Sequence, residues 1–338
     1  MMINTNFFLN ISSFDKNIFL RIILLFSVFI ISLILGNLYV GGDNNGYRAI
    51  YNGMADLDII NAYYLYNYVI TTSEFVHFIL VWIASNLGID RIFFLSMCNT
   101  LLAGILIKIF DNLKVNFLVT SFFILTNYYL YVVFFVGERL KFGFIFFLLF
   151  FLFRKKYALS FFFFGLSIFS HLQMLILCSG RAFQLFINEV KPLLFKLQFK
   201  WSLLLVLPII VFALFAMNIT QIAGLPYLVY KIMAYGGDRS LFDFLRMTIF
   251  FLIALYYTKD RSETLIYFLP LFIAVYFVGG ERVNMIGYIF CLYYCLPYRA
   301  GLNLGVLITN LYFLYANIDF VSKIILYGYG FGGVLPQP

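Results

Sequence analysis

The chain has 338 residues, of which 64% are hydrophobic and only 11% charged, and it carries a net charge of +8. Soluble domains are about 25% charged, and this chain's mean hydropathy is +0.96. A water-soluble enzyme is excluded, and a chain that crosses a bilayer many times is expected.

In hydrocarbon every backbone polar group must bond internally, so the spans are expected to be helices. The apolar runs between charged breaks give about eleven of them (range about 10–12), each near the roughly 20 residues a span needs or somewhat shorter. In chain order they are 18–39, 91–109, 116–136, 140–153, 157–171, 172–189, 201–217, 241–257, 264–279, 283–298 and 301–316. The first is long enough to remain as a span rather than be removed as a leader. One integral-membrane domain is expected over residues 1–338, with a long first outer loop at 40–90 and a second at 218–240. Within the first loop a short helix at 75–87 follows the Tyr-rich "NAYYLYNYVITTSE". Its length suits an interfacial or re-entrant helix.

Orientation follows from Lys and Arg. The "RKK" cluster, Arg154 to Lys156, is placed in the cytoplasm. Counting from it puts Lys108, Lys114, Lys191, Lys196, Lys200, Lys259, Arg261 and Arg299 inside. Lys16 and Arg21 join them if the helix at 75–87 does not cross, and fall outside if it does. The outer side is then rich in arginine: Arg48, Arg91, Arg139, Arg181, Arg239, Arg246 and Arg282. Arginine suits bidentate, partly desolvated binding of phosphate.

Two Gly-Glu-Arg stretches, "FFVGERLKFG" (134–143) and "FVGGERVNMIG" (277–287), interrupt apolar runs on that outer side. Neighbours at i and i+1 diverge on a helix, so neither Glu138 and Arg139 nor Glu281 and Arg282 form a local pair. An exchange, Glu138 with Arg282 and Glu281 with Arg139, would tie two helix pairs together; interfacial turns with snorkelling arginines are the plainer alternative. In "DRSLFDFLR", Arg239, Asp243 and Arg246 share one helix face and either serve a ligand or form a self-contained network. His171 lies at an outer turn as a candidate base or a structural histidine, and His77 on the short helix is the weaker candidate. Glu74 either caps that helix or has a function. Asp43, Asp56 and Asp58 in the first loop suit solvation, a base or a metal. The four cysteines sit in apolar segments and read as packing residues. No phosphate loop, dinucleotide fingerprint or nucleic-acid module is present, so neither a nucleotide cofactor nor a nucleic-acid partner is expected.

The order of these features, from "GGDNNGYRAIY" through a helix opened by Glu74, an outer Arg139 feeding a Phe/Leu-rich helix that ends in "RKK", to His171, resembles the Wzy-type O-antigen and exopolysaccharide polymerases, in particular the EpsG-like branch. The resemblance covers about Gly41 to Leu175 and rests on short motifs. The family's Gly-Thr-Asp-Tyr falls on Gly41–Asp43 with Tyr47 displaced. Its Glu-Pro-Gly falls on Glu74, with Phe75 in place of proline. Of its Ile-Arg-Gln only Arg139 remains, and its His-x-Ser falls on His171 with Gln173 in place of serine.

The resemblance implies a GT-C-like glycosyltransferase, multi-pass in the bacterial inner membrane with its active site facing the periplasm. It would join repeat units carried on undecaprenyl pyrophosphate, with the bilayer and a chain-length regulator as partners. His171 and Glu138 are then the catalytic candidates. Arg139, Arg282, Arg239, Arg246, Asp43, Tyr47, Arg48, Glu74 and Glu281 are the substrate-binding ones. Preorganised arginines could stabilise a pyrophosphate leaving group without a metal. Two alternatives stand beside this: another polyprenyl-phosphate-dependent transferase with Asp43, Asp56 or Asp58 as base, and a transporter or flippase of lipid-linked sugars.

Overall fold

The computed structural model describes residues 6–70, 74–171, 173–177, 241–278 and 280–331. Every regular element among them is a helix. In chain order these are α1 (Asn6–Leu38), α2 (Asn44–Gly53), α3 (Ile59–Ile70), α4 (Phe75–Asn86), α5 (Arg91–Asn112), α6 (Phe117–Thr126), α7 (Tyr128–Phe135), α8 (Glu138–Leu152) and α9 (Tyr157–Ser170). They continue with α10 (Leu241–Tyr257), α11 (Arg261–Val278), α12 (Gly280–Cys295) and α13 (Leu304–Tyr327). The expected spans at 172–189 (beyond Leu177) and 201–217, the second loop at 218–240, Arg181, Arg239 and Cys178 lie outside the described residues.

Three of the described helical stretches are long and apolar enough to cross a bilayer: Ile18–Leu38, Arg91–Asn112 and Tyr298–Tyr327; counting each of two bent helix pairs as one span raises this to five. Large apolar side chains on α1, among them Phe19, Ile22, Phe26 and Ile34, are exposed. In water that stripe would be costly, and in lipid it is ordinary. The chain is therefore a helical membrane protein. Its helix starts are chemically marked: Asp90, Asn116, Asn127 and Asn303 each accept a hydrogen bond from a backbone N–H of the first turn that follows. Asn127 also divides the span expected at 116–136. Its extended backbone ends α6, its side chain caps α7, and the two helices meet at 52°.

The described chain forms two compact units, one of residues 1–174 with 299–338 and one of residues 175–298. In the first, α1 and α5 run antiparallel: Arg21 pairs with Asp111 at 2.9 Å, and Ser32 accepts from Asn99 at 3.1 Å. Helices α5 and α8 run parallel, with Arg91 against Glu138 at their starts and Lys108 and Leu152 lining one groove near their ends. Helix α9 returns antiparallel to α8, bringing Ser167 Oγ to the Gly143 carbonyl at 2.8 Å. Helix α13 starts where Ala300 accepts from the Asn116 N–H at 2.8 Å and ends where Gly328 accepts from the Val40 N–H at 2.9 Å.

The unit thus has two ends. Arg21, Lys108, Lys114, Arg154–Lys156 and Ala300 share one. Tyr39, Asn44, Arg91, Glu138, His171 and Gly328 share the other. Tyr39 and Arg91 flank the segment 40–90 and both bond Asn44, so that segment leaves and returns at the same end. The expected outer loop is in fact α2, α3 and α4, folded on a small core of Ile50, Tyr51, Met54, Tyr66, Phe78 and Val81. The second unit packs α10 against α11 and α12, with Gly287 beneath Met247.

Candidate functional site

The first unit gathers its buried charge at the end that carries α2–α4. Glu138 and Arg139 open α8 as consecutive residues and therefore point in different directions. Glu138 faces inward, where it meets Arg91 from the start of α5 and lies 3.4 Å from His77 Nε2. The Tyr66 hydroxyl bonds His77 Nδ1 at 2.9 Å, and Arg91 donates to Asn44 Oδ1 at 2.7 Å. All of these side chains are buried.

Arg139 takes the other direction. Its Nη1 lies 2.9 Å from Glu74 Oε2, and its Nε donates to the Tyr47 hydroxyl at 2.7 Å. Glu74 in turn bonds His171 Nδ1. Burial holds the Tyr47 phenol above its ordinary range despite the opposing pull of Arg139, so it stays neutral. With a carboxylate on Nδ1, the His171 proton belongs there, which leaves Nε2 for proton transfer. Nε2 lies 3.1 Å from the Gln173 side-chain amide. That amide's oxygen and nitrogen are interchangeable, and a neutral imidazole requires the NH₂ edge to face it.

Local structure explains the convergence. Gly137 precedes α8 and starts the helix at the buried end. Gly143, nearly two turns further, lets α9 approach: an added Cβ would lie 2.9 Å from Met174 Cγ and 3.4 Å from His171 Cβ. Glu74 sits at the start of α4 but makes no capping hydrogen bond, so the capping role considered for it is not what its side chain does. Within their own units Glu138 pairs with Arg91, Arg139 with Glu74, and Glu281 with Arg246.

Of the expected residues, the structure brings together Glu74, Arg139, His171 and Tyr47, with Glu138 directly behind them. Arg48 is half-buried and donates to the Tyr39 carbonyl at 3.2 Å. Asp43, Asp56 and Asp58 are exposed. Arg246 and Glu281 pair in the second unit, where Asn284 Nδ2 lies 3.5 Å from Asp243; the expected row with Arg239 includes a residue outside those described. Arg282 is exposed on α12.

Sequence reading counted Arg91 only as one of the outer arginines, passed over Asn44, Tyr66 and Lys141, and ranked His77 low. His77 carried a usable signal, since it follows Glu74 by one helical turn. Arg91 carried no signal beyond its place on the Arg-rich outer side, because "DRIFF" reads as an ordinary helix start. Lys141 is 1% exposed, and no carboxylate among the described residues forms an ion pair with it. No group of three or more His, Cys, Asp or Glu side chains able to hold a metal occurs among the described residues. No family model, curated protein or solved structure matches this chain.

Proposed function

We propose that this chain is a membrane glycosyltransferase that polymerises glycan repeat units carried on a polyprenyl pyrophosphate, with Glu74, Arg139, His171 and Tyr47 as its reaction site. One observation carries the reading. Glu74, Arg139 and His171 were selected as separate short motifs spread over about a hundred residues, and they meet in one buried cluster. Chance motif matches on unrelated helices have no reason to share a site.

The chemistry fits the arrangement. The acceptor hydroxyl attacks the anomeric carbon of the growing chain, and the bond from that carbon to the pyrophosphate oxygen breaks. His171 Nε2 takes the hydroxyl proton, while Glu74 holds the imidazole by Nδ1 and stabilises the imidazolium. Arg139, held in place by the Tyr47 hydroxyl, meets charge developing on the leaving group. Glu138 is unsuited to be the base. It is shared between Arg91 and His77, and its role is to hold the start of α8.

The two-ended first unit also suggests the orientation. Its basic end, with Arg21, Lys108, Lys114 and Arg154–Lys156, would face the cytoplasm. The site would then face the periplasm, α2–α4 would lie at that surface without crossing, and about eleven spans would complete the chain. The test is glycan length after gene deletion. A polymerase loss leaves glycans capped with a single repeat unit, whereas a transporter loss leaves none exported and overturns the proposal.

A further inference from the structure

Joining two glycans that each carry a lipid pyrophosphate requires two anions to be held at once. Arg139 serves one. A second set of donors lies on the opposite flank of Glu138. Arg48 Nη2 and Asn44 Nδ2 both donate to the Tyr39 carbonyl, and Arg91 Nη2 donates to Asn44 Oδ1. Asn44 therefore links the two guanidinium groups, accepting from Arg91 and sharing the Tyr39 carbonyl with Arg48.

Their charge is not balanced. Arg48 forms no ion pair among the described residues, and Arg91 shares Glu138 with His77. Burial, and then the charge of Arg91, pull the Arg48 guanidinium below its ordinary value. Among the described residues at this end of the unit, four basic side chains, the buried Arg91 and Lys141 and the part-buried Arg48 and Arg139, face two buried carboxylates, Glu74 and Glu138. Asp43 and Asp90 are exposed, and Asp90 is engaged in capping α5. Arg91 is 8% exposed, and its Nε has no acceptor among the described groups. A buried guanidinium donor left unused beside an uncompensated arginine is costly unless a ligand supplies the acceptor. Access is short, because Asn45 and Ala49 on either side of Arg48 are exposed.

We propose that Arg48, Arg91 and Asn44 form a second anion site that binds the pyrophosphate of one of two lipid-linked substrates. The assignment rests on the polymerase reading for its substrate, and on the geometry alone for its anion. Arg139 and the second site would hold the two leaving-group lipids apart, one reacting and one waiting.

The test uses the full-length protein purified in detergent, with inorganic pyrophosphate and farnesyl pyrophosphate as probes and the thermal midpoint as readout. Wild type should be stabilised by both, with farnesyl pyrophosphate binding at least about tenfold more tightly. Arg48→Gln should weaken both by about tenfold or more, while Arg139→Gln keeps a response from the second site. Arg48→Glu supplies the missing carboxylate internally. It should therefore melt above Arg48→Gln and keep only the response that Arg139 supplies. An unchanged response in Arg48→Gln, or complete loss in Arg139→Gln alone, overturns the site. Equal binding of the two probes overturns the lipid-linked assignment. Glycan length in cells reads the polymerase independently: normal length in the deletion strain, with anion binding intact, would sink the polymerase reading and leave the anion site standing.

Discussion

The two Gly-Glu-Arg stretches share a tripeptide and end in different circumstances. At the first, Glu138 is 5% exposed and tied to Arg91 and His77, while Arg139 reaches Glu74 and Tyr47. At the second, the Glu281 side chain is 56% exposed and pairs with an Arg246 that is itself about one-third exposed. Both helices carry a glycine further along beneath a methionine, Gly143 under Met174 and Gly287 under Met247. The backbone device is shared, and what differs is the cover. Helices α2–α4 and the start of α5 close over the first stretch and bring four polar partners with them. A charged tripeptide between apolar runs thus announces an interruption, and the surrounding chain decides whether it becomes a site.

The largest effect should come from Glu138→Ala. It strips the buried Arg91 of its counter-charge, and breaking such a pair costs about 3–5 kcal/mol. Thermal unfolding in detergent measures it, and a loss no larger than that of Glu281→Ala would abolish the contrast. Next, Arg139→Lys keeps the charge but loses the fork that serves Glu74 and Tyr47, so long glycans should collapse toward single units at matched protein level. Arg282→Lys, on the exposed stretch, should retain most chain length; equal collapse in both would make the second stretch part of the reaction.

His171→Ala should also shift glycans toward single units, with His171→Gln no better if the imidazole transfers a proton. Recovery in the Gln variant would reduce His171 to a hydrogen-bonding role. Gly143→Val is a subtler probe: its side chain forces Met174 and His171 away from α8, and intermediate glycan length is expected because Glu74 still reaches for the imidazole. The smallest effect belongs to Glu281→Gln. Solvent-exposed pairs contribute about 0–1 kcal/mol, so its melting point should barely move.

Much of the helical frame was readable from composition and breaks. Helices α1, α5, α8 and α9 start or stop within a few residues of their expected limits. The division at Asn127 was not, because it turns on one side chain choosing Leu130 N–H over solvent. Nor were helices α2 and α3, whose polar and Tyr-rich sequence reads as an outer loop and which fold against their own small core. In the site, Glu74, Arg139 and His171 could be named from sequence, but their mutual contact could not.

By itself the sequence determined that this protein lives in lipid as helices, since so apolar a chain must satisfy its backbone within each segment. It also determined that Glu138 and Arg139 would need separate partners, since adjacent residues on a helix diverge. Only the tertiary structure decided which partners those are. Arg91 comes from α5, His77 and Glu74 from α4 and its start, and Tyr47 from α2, and a short-range charge interaction has no signature in a chain until folding closes the distance.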